Sequence, residues 1–116
     1  MTAQAVAYVW DPDDAYCALL IRTLSAFGVT AKKVAAADLS PSLPSAVRWL
    51  FADFGFTRPY LESCSRFPLT LVVMSWDAEV EGALRAWLPT AVFWRKDWIK
   101  EPDRLANIVE PPGSTR

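Results

Sequence analysis

The chain has 116 residues, of which 53% are hydrophobic and 22% charged, and its formal net charge is −1. One domain with a sizeable core fits this length, and the apolar content excludes a disordered chain. The near-zero charge gives no field that would favour nucleic acid or an anionic membrane. With no histidine present, Ser/His/Asp triads and Cys/His dyads are excluded and a zinc site is left with few ligands. Cys17 and Cys64 form no Cys-x-x-Cys pair and read as reduced, partly buried thiols. The first residues lack the basic start and apolar run of a secretory signal, and no apolar run reaches the length of a membrane span. The expected location is the cytoplasm.

In chain order, Ala5 to Trp10 is a continuous apolar run, as expected of a strand buried on both faces. Asp11-Pro12-Asp13-Asp14 then signals a helix start, with Asp11 as the candidate N-cap and Pro12 at the first helical position. Tyr16, Leu19, Leu20, Thr23, Leu24 and Phe27 share one helical face, and Gly28 is the stop. Val29 to Ala37 reads as a second strand, and Lys32 and Lys33 place it at a sheet edge. Asp38 to Ser45, with Pro41 and Pro44, reads as a loop.

Ala46 to Ala52 is a third strand with Asp53 at its carboxyl end, and Gly55 suits a turn after it. A short helix is expected within Pro59 to Arg66. Leu69 to Met74 is a fourth strand ending at Ser75, after which Asp77 can cap a helix whose apolar face holds Val80, Ala83, Leu84, Trp87 and Leu88. Pro89 ends that helix. Ala91 to Arg95 is a fifth strand ending at Lys96, and Glu101 to Val109 is a last helix with Leu105, Ile108 and Val109 facing inward. Residues 1–110 thus form one α/β domain, with a parallel sheet and helices on both faces. Residues 111–116, with Pro111, Pro112 and Gly113, are expected to form a flexible tail. In such sheets the ligand site lies beyond the carboxyl ends of the strands, where Asp11, Asp53, Ser75 and Lys96 stand.

These residues resemble those of the receiver domain of response regulators, over nearly the whole chain. Leu50-Phe51-Ala52-Asp53 matches the third-strand motif, Met74-Ser75 the fourth and Phe93-Trp94-Arg95-Lys96 the fifth, while Ala83-Leu84-Arg85-Ala86 is similar to the fourth helix of many receivers. The resemblance implies a flavodoxin-like three-layer sandwich with strand order 2-1-3-4-5. It implies a signalling domain of a bacterial two-component phosphorelay rather than an enzyme. Asp53 would be the phosphoacceptor, served by a histidine kinase or phosphotransfer protein. Asp11 and Asp53, with Asp13 as a further candidate, would hold Mg²⁺, which takes oxygen ligands. Lys96 would set a point charge against the phosphoryl oxygens and Ser75 would donate a hydrogen bond to them. Phe93 would switch rotamer, and a surface on the fourth helix, fifth strand and fifth helix would bind a second copy or another protein.

The chain also departs from the receiver pattern. One of the two acids that receivers carry after the first strand is missing, whether Trp10-Asp11 or Asp11-Pro12 is aligned with the pair. The second helix is expected to be replaced by the Ser/Pro loop and the third to be short. Trp76 follows Ser75 where receivers have a small residue, and Asp97 follows Lys96 where they have proline. A second reading follows, a pseudo-receiver that works without phosphate as an interaction or dimerisation module. A third, a flavodoxin-like ligand binder, is opposed by the acidic stretch after the first strand, which would repel phosphate.

Each site residue has a plainer alternative. Asp53 could cap a turn, Asp11 could be the helix cap alone, and Lys96 could be a solvated lysine at the sheet edge. Two carboxylates ~5 Å apart repel by about 3 kcal/mol at an effective dielectric near 20, so Lys96 would also be useful beside them without phosphate. Of the six tryptophans, Trp10, Trp49 and Trp87 are expected in the core. Trp76, Trp94 and Trp98 are expected to cluster near the strand ends, either as filling or as a protein-binding patch.

Overall fold

The continuous apolar runs become strands because their backbone groups pair with one another while side chains on both faces leave water. The computed structural model describes residues 6–35, 47–55, 61–62 and 69–109. Within them lie β1 (Val6–Trp10), α1 (Asp14–Ala26), β2 (Thr30–Lys33), β3 (Val47–Asp53), β4 (Thr70–Ser75), α2 (Val80–Trp87), β5 (Val92–Arg95), a 3-10 helix (Lys96–Lys100) and α3 (Asp103–Val109). Residues 54–55 and 61–62 are also helical. The five strands are all parallel, in the order β2-β1-β3-β4-β5. α2 and α3 correspond to the fourth and fifth helices of the expected fold.

Register decides what meets at the carboxyl edge. Trp10 pairs with Ala52, Asp53 with Met74 and Ser75 with Arg95. Asp11, Asp53, Ser75 and Lys96 therefore all emerge at one end of the sheet. One face of the sheet packs Val9, Phe51, Val72, Met74 and Trp94 against α1 and α3. The other packs Trp10, Leu50, Ala52, Leu71 and Val73 against Leu84 of α2 and Leu61.

Several local expectations are corrected. Asp13, not Asp11, is the N-cap of α1. Its backbone is extended, and its carboxylate accepts the Ala15 and Tyr16 N–H groups. Asp11 instead accepts the Asp13 N–H at 2.8 Å, closing a tight turn that puts Pro12 outside the helix. β2 is shorter than Val29 to Ala37, because Val29 is spent on ending α1: its N–H bonds the Leu24 carbonyl and the Gly28 N–H bonds that of Ser25. Gly28 has φ +80°, the left-handed conformation this ending requires.

Gly55 is helical with no positive φ, so it supplies no glycine-specific turn. Asp77 caps the turn before α2, accepting the Glu79 N–H at 2.9 Å. The last helix starts at Asp103 and not Glu101, because Lys96–Lys100 already forms a 3-10 turn that ends at Glu101. Of the three tryptophans expected near the strand ends, Trp94 is filling, as one of the two alternatives had it: it is fully buried and meets Trp98 edge to face at 5.6 Å. The Ser/Pro loop, Cys64, the tail and most of the helix expected within Pro59 to Arg66 lie outside the described residues. No helix among the described residues is long and apolar enough to cross a membrane.

Candidate functional site

The sheet ends bring three charged side chains together. Asp11 follows β1, Asp53 closes β3, and Lys96 follows β5. Lys96 Nζ lies 2.6 Å from Asp11 Oδ2 and 2.6 Å from Asp53 Oδ1. Its stem crosses the end of β4 to reach them, since β4 lies between β5 and β3. Lys96 is only 3% exposed, so the alternative of a solvated edge lysine is overturned. The apolar stem covers core surface while the ammonium meets both carboxylates. The plain-cap alternative for Asp11 fails as well, since that role belongs to Asp13.

Burial alone would lower the lysine's proton affinity, but hydrogen bonds and attraction from Asp11 and Asp53 outweigh it and hold the ammonium above its ordinary 10.5. The two acids differ in access. The Asp11 side chain is 0% exposed and that of Asp53 15%, so Asp53 is the carboxylate that an outside reagent can reach.

The walls are aromatic. Tyr16, at the start of α1, donates its hydroxyl proton to the Lys96 carbonyl at 2.9 Å and accepts the Trp94 indole N–H at 2.9 Å. The Lys96 ammonium lies 5.4 Å from the Tyr16 ring centre and 5.9 Å from that of Trp76. Trp76 meets Tyr16 edge to face at 5.6 Å and is 57% exposed, so it flanks the ammonium and does not fill the site. The Cys17 thiol, buried as expected, points at the Asp11 carbonyl at 3.5 Å. Ser75 Oγ accepts the Asp77 N–H at 3.0 Å, leaving its one proton to donate elsewhere. Phe93 is half-buried and meets Trp98 edge to face.

Asp13 stands apart from the other acids because its carboxylate is turned to the helix N–H groups. Among the described residues no three His, Cys, Asp or Glu side chains gather as a metal site. Asp11 and Asp53 already share one cation, the ammonium. A pair of carboxylates with water is a donor set that Mg²⁺ accepts, so these two residues fit such an ion and Asp13 does not.

Sequence reasoning missed Tyr16 and Trp94 as part of the site. Tyr16 was readable as core, on the apolar face of α1. Its distinguishing mark was a phenol hydroxyl on that face, within the first turn of the helix that follows the acidic stretch.

No protein-family model and no curated protein matches the chain. Solved structures do share its fold. A response regulator from Thermotoga maritima superposes with a TM-score of 0.63 at 12% identity, covering 93% of this chain and 99% of that one. A sensor protein from Polaromonas sp. JS666 superposes with a TM-score of 0.55 at 17% identity, covering 88% of this chain and 95% of that one. With the strand order 2-1-3-4-5, these similarities establish a receiver-like fold, as the sequence motifs led one to expect.

Proposed function

We propose that the protein is a receiver-like signalling domain in which Asp53 accepts a phosphoryl group. The observation that carries this reading is the Lys96 ammonium, buried and 2.6 Å from both Asp53 and Asp11. A carboxylate oxygen of Asp53 would attack the phosphorus of a phosphohistidine or an acyl phosphate. The new O–P bond forms as the donor's bond to phosphorus breaks, and the donor leaves with the electron pair. Lys96 would turn its charge to the phosphoryl oxygens, and Ser75 would donate its hydroxyl proton to one of them. A magnesium ion, when bound, would be held by Asp11 and Asp53 and would neutralise phosphoryl charge.

Removing Lys96 from its pairing with Asp53 would alter the end of β5. Phe93 and Trp98 lie beside it, so the outer surface of α2, β5 and α3 is the natural readout. A kinase or phosphotransfer protein would act at Asp53, and a second copy or another protein would bind that outer surface. The test is mass spectrometry after incubation with acetyl phosphate and Mg²⁺. One phosphoryl group should appear on the protein and none on Asp53→Asn. Absence of any adduct on the unaltered protein would overturn the reading.

A second reading is favoured by a specific observation. Both Asp11 oxygens are engaged, one by the Asp13 N–H and one by Lys96, and Asp13 is committed to the helix. This supports a pseudo-receiver whose ion cluster is structural and which docks without phosphate. Under that reading Asp53→Asn keeps full function in the cell.

A further inference from the structure

We propose that Tyr16 is a positioning residue, whose hydroxyl, held by the Trp94 indole, fixes the main chain of Lys96 so that its ammonium falls between Asp11 and Asp53. A lysine side chain has four rotatable carbons and a large rotamer entropy. Carboxylates alone can attract its ammonium but cannot fix where the stem starts. Tyr16 meets this residue at both ends. Its hydroxyl bonds the Lys96 carbonyl at 2.9 Å, and its ring lies 5.4 Å from the ammonium.

The hydrogen-bond directions are settled by chemistry. A carbonyl can only accept, so the tyrosine proton points to Lys96. An indole N–H can only donate, so it fills an acceptor site on the same hydroxyl at 2.9 Å. Tyr16 and Trp94 are both buried in the core, where neither bond has water to compete with it. The pair ties α1 to the junction of β5 and the 3-10 helix, where Lys96 is the first residue. The placement of Lys96 follows from this geometry alone; its consequence for phosphoryl transfer rests on the function proposed above.

The experiment is site-resolved acetylation of the four lysines, Lys32, Lys33, Lys96 and Lys100, under limiting N-hydroxysuccinimide acetate, with amide hydrogen exchange at Leu50 and Val72 reporting opening of the core. In the unaltered protein Lys96 should react slowest, since the other three are exposed. In Tyr16→Phe, which keeps the ring, acetylation of Lys96 relative to Lys100 should rise by roughly five- to tenfold, the loss of about one hydrogen bond. Exchange at Leu50 and Val72 should rise far less. An unchanged Lys96 rate, or one that rises in step with core exchange, would overturn the proposal. Thr23→Ala removes a different hydroxyl of the same helix, one that donates to the Leu19 carbonyl at 2.8 Å, and should leave Lys96 labelling near its original rate. A rise as large as in Tyr16→Phe would refute the role given to the Tyr16 hydroxyl. These readouts use no phosphate, so they stand if Asp53 proves not to be an acceptor. Where Asp53 does label with acetyl phosphate, Tyr16→Phe should slow it several-fold, and an unchanged rate would remove the consequence for transfer.

Discussion

Lys96 carries its ammonium out of water and is answered by two carboxylates at 2.6 Å, so its removal should cost far more than that of a surface charge. Lys96→Met keeps the stem volume but leaves Asp11 and Asp53 facing each other. Breaking a buried pair on one side costs about 3–5 kcal/mol, to be measured by urea unfolding. Adding Asp11→Asn should recover part of that loss, so the double variant should be less destabilised than the two single effects together. The same residues set an alkaline limit. The Lys96 ammonium is held above 10.5, and burial, with Asp11 and Asp97 adding to it, pushes the Tyr16 hydroxyl well above 10.0. Each group therefore keeps its proton in the fold after the unfolded chain has released it. Their contribution is complete below 10.0 and is lost as pH rises through the folded values. Urea midpoints should fall on the alkaline side of 10.0, and less steeply in Lys96→Met combined with Tyr16→Phe.

Among the elements, α1 shows most clearly what local chemistry could specify. Its stop at Gly28 was legible because glycine tolerates φ +80° without strain. A Cβ at Gly28 would touch nothing within 4 Å, so Gly28→Ala should cost only its backbone strain, about 1–2 kcal/mol, readable as a lowered thermal midpoint. The start of α1 was harder. Asp11 and Asp13 are both good caps by composition, and what separates them is Lys96, which claims Asp11 from 85 positions away. The 3-10 helix after β5 was hidden for a similar reason. Its Trp98 and Ile99 pack on the α1 and α3 face of the sheet, and a five-residue turn gives too little periodicity to read. The candidate site was legible where residues end strands. Asp11, Asp53, Ser75 and Lys96 needed only the strand pattern, whereas Tyr16 and Trp94 needed the packing of a helix on a sheet.

At the scale of the molecule, the sheet divides the core into two layers that share the same strands. Phe51 and Leu50 are neighbours in β3, both 0% exposed, and point to opposite layers. Phe51→Ala and Leu50→Ala should each cost about 2–5 kcal/mol. Both should retain a single unfolding transition, coincident by fluorescence and circular dichroism, because neither layer has strands of its own. The strand order was legible from the edge character of Lys32 and Lys33 together with the receiver motifs, and the superposed structures agree with it.

Those two lysines also bear on the open edge of the sheet. β2 is the outermost strand, only four residues long, and Lys32 and Lys33 are both exposed, with Lys33 bridged to Asp14. A stray strand adding to this side would find few main-chain partners and would crowd two ammonium groups out of water. Sheet growth, the usual route from an open parallel sheet to aggregates, is therefore obstructed along β2.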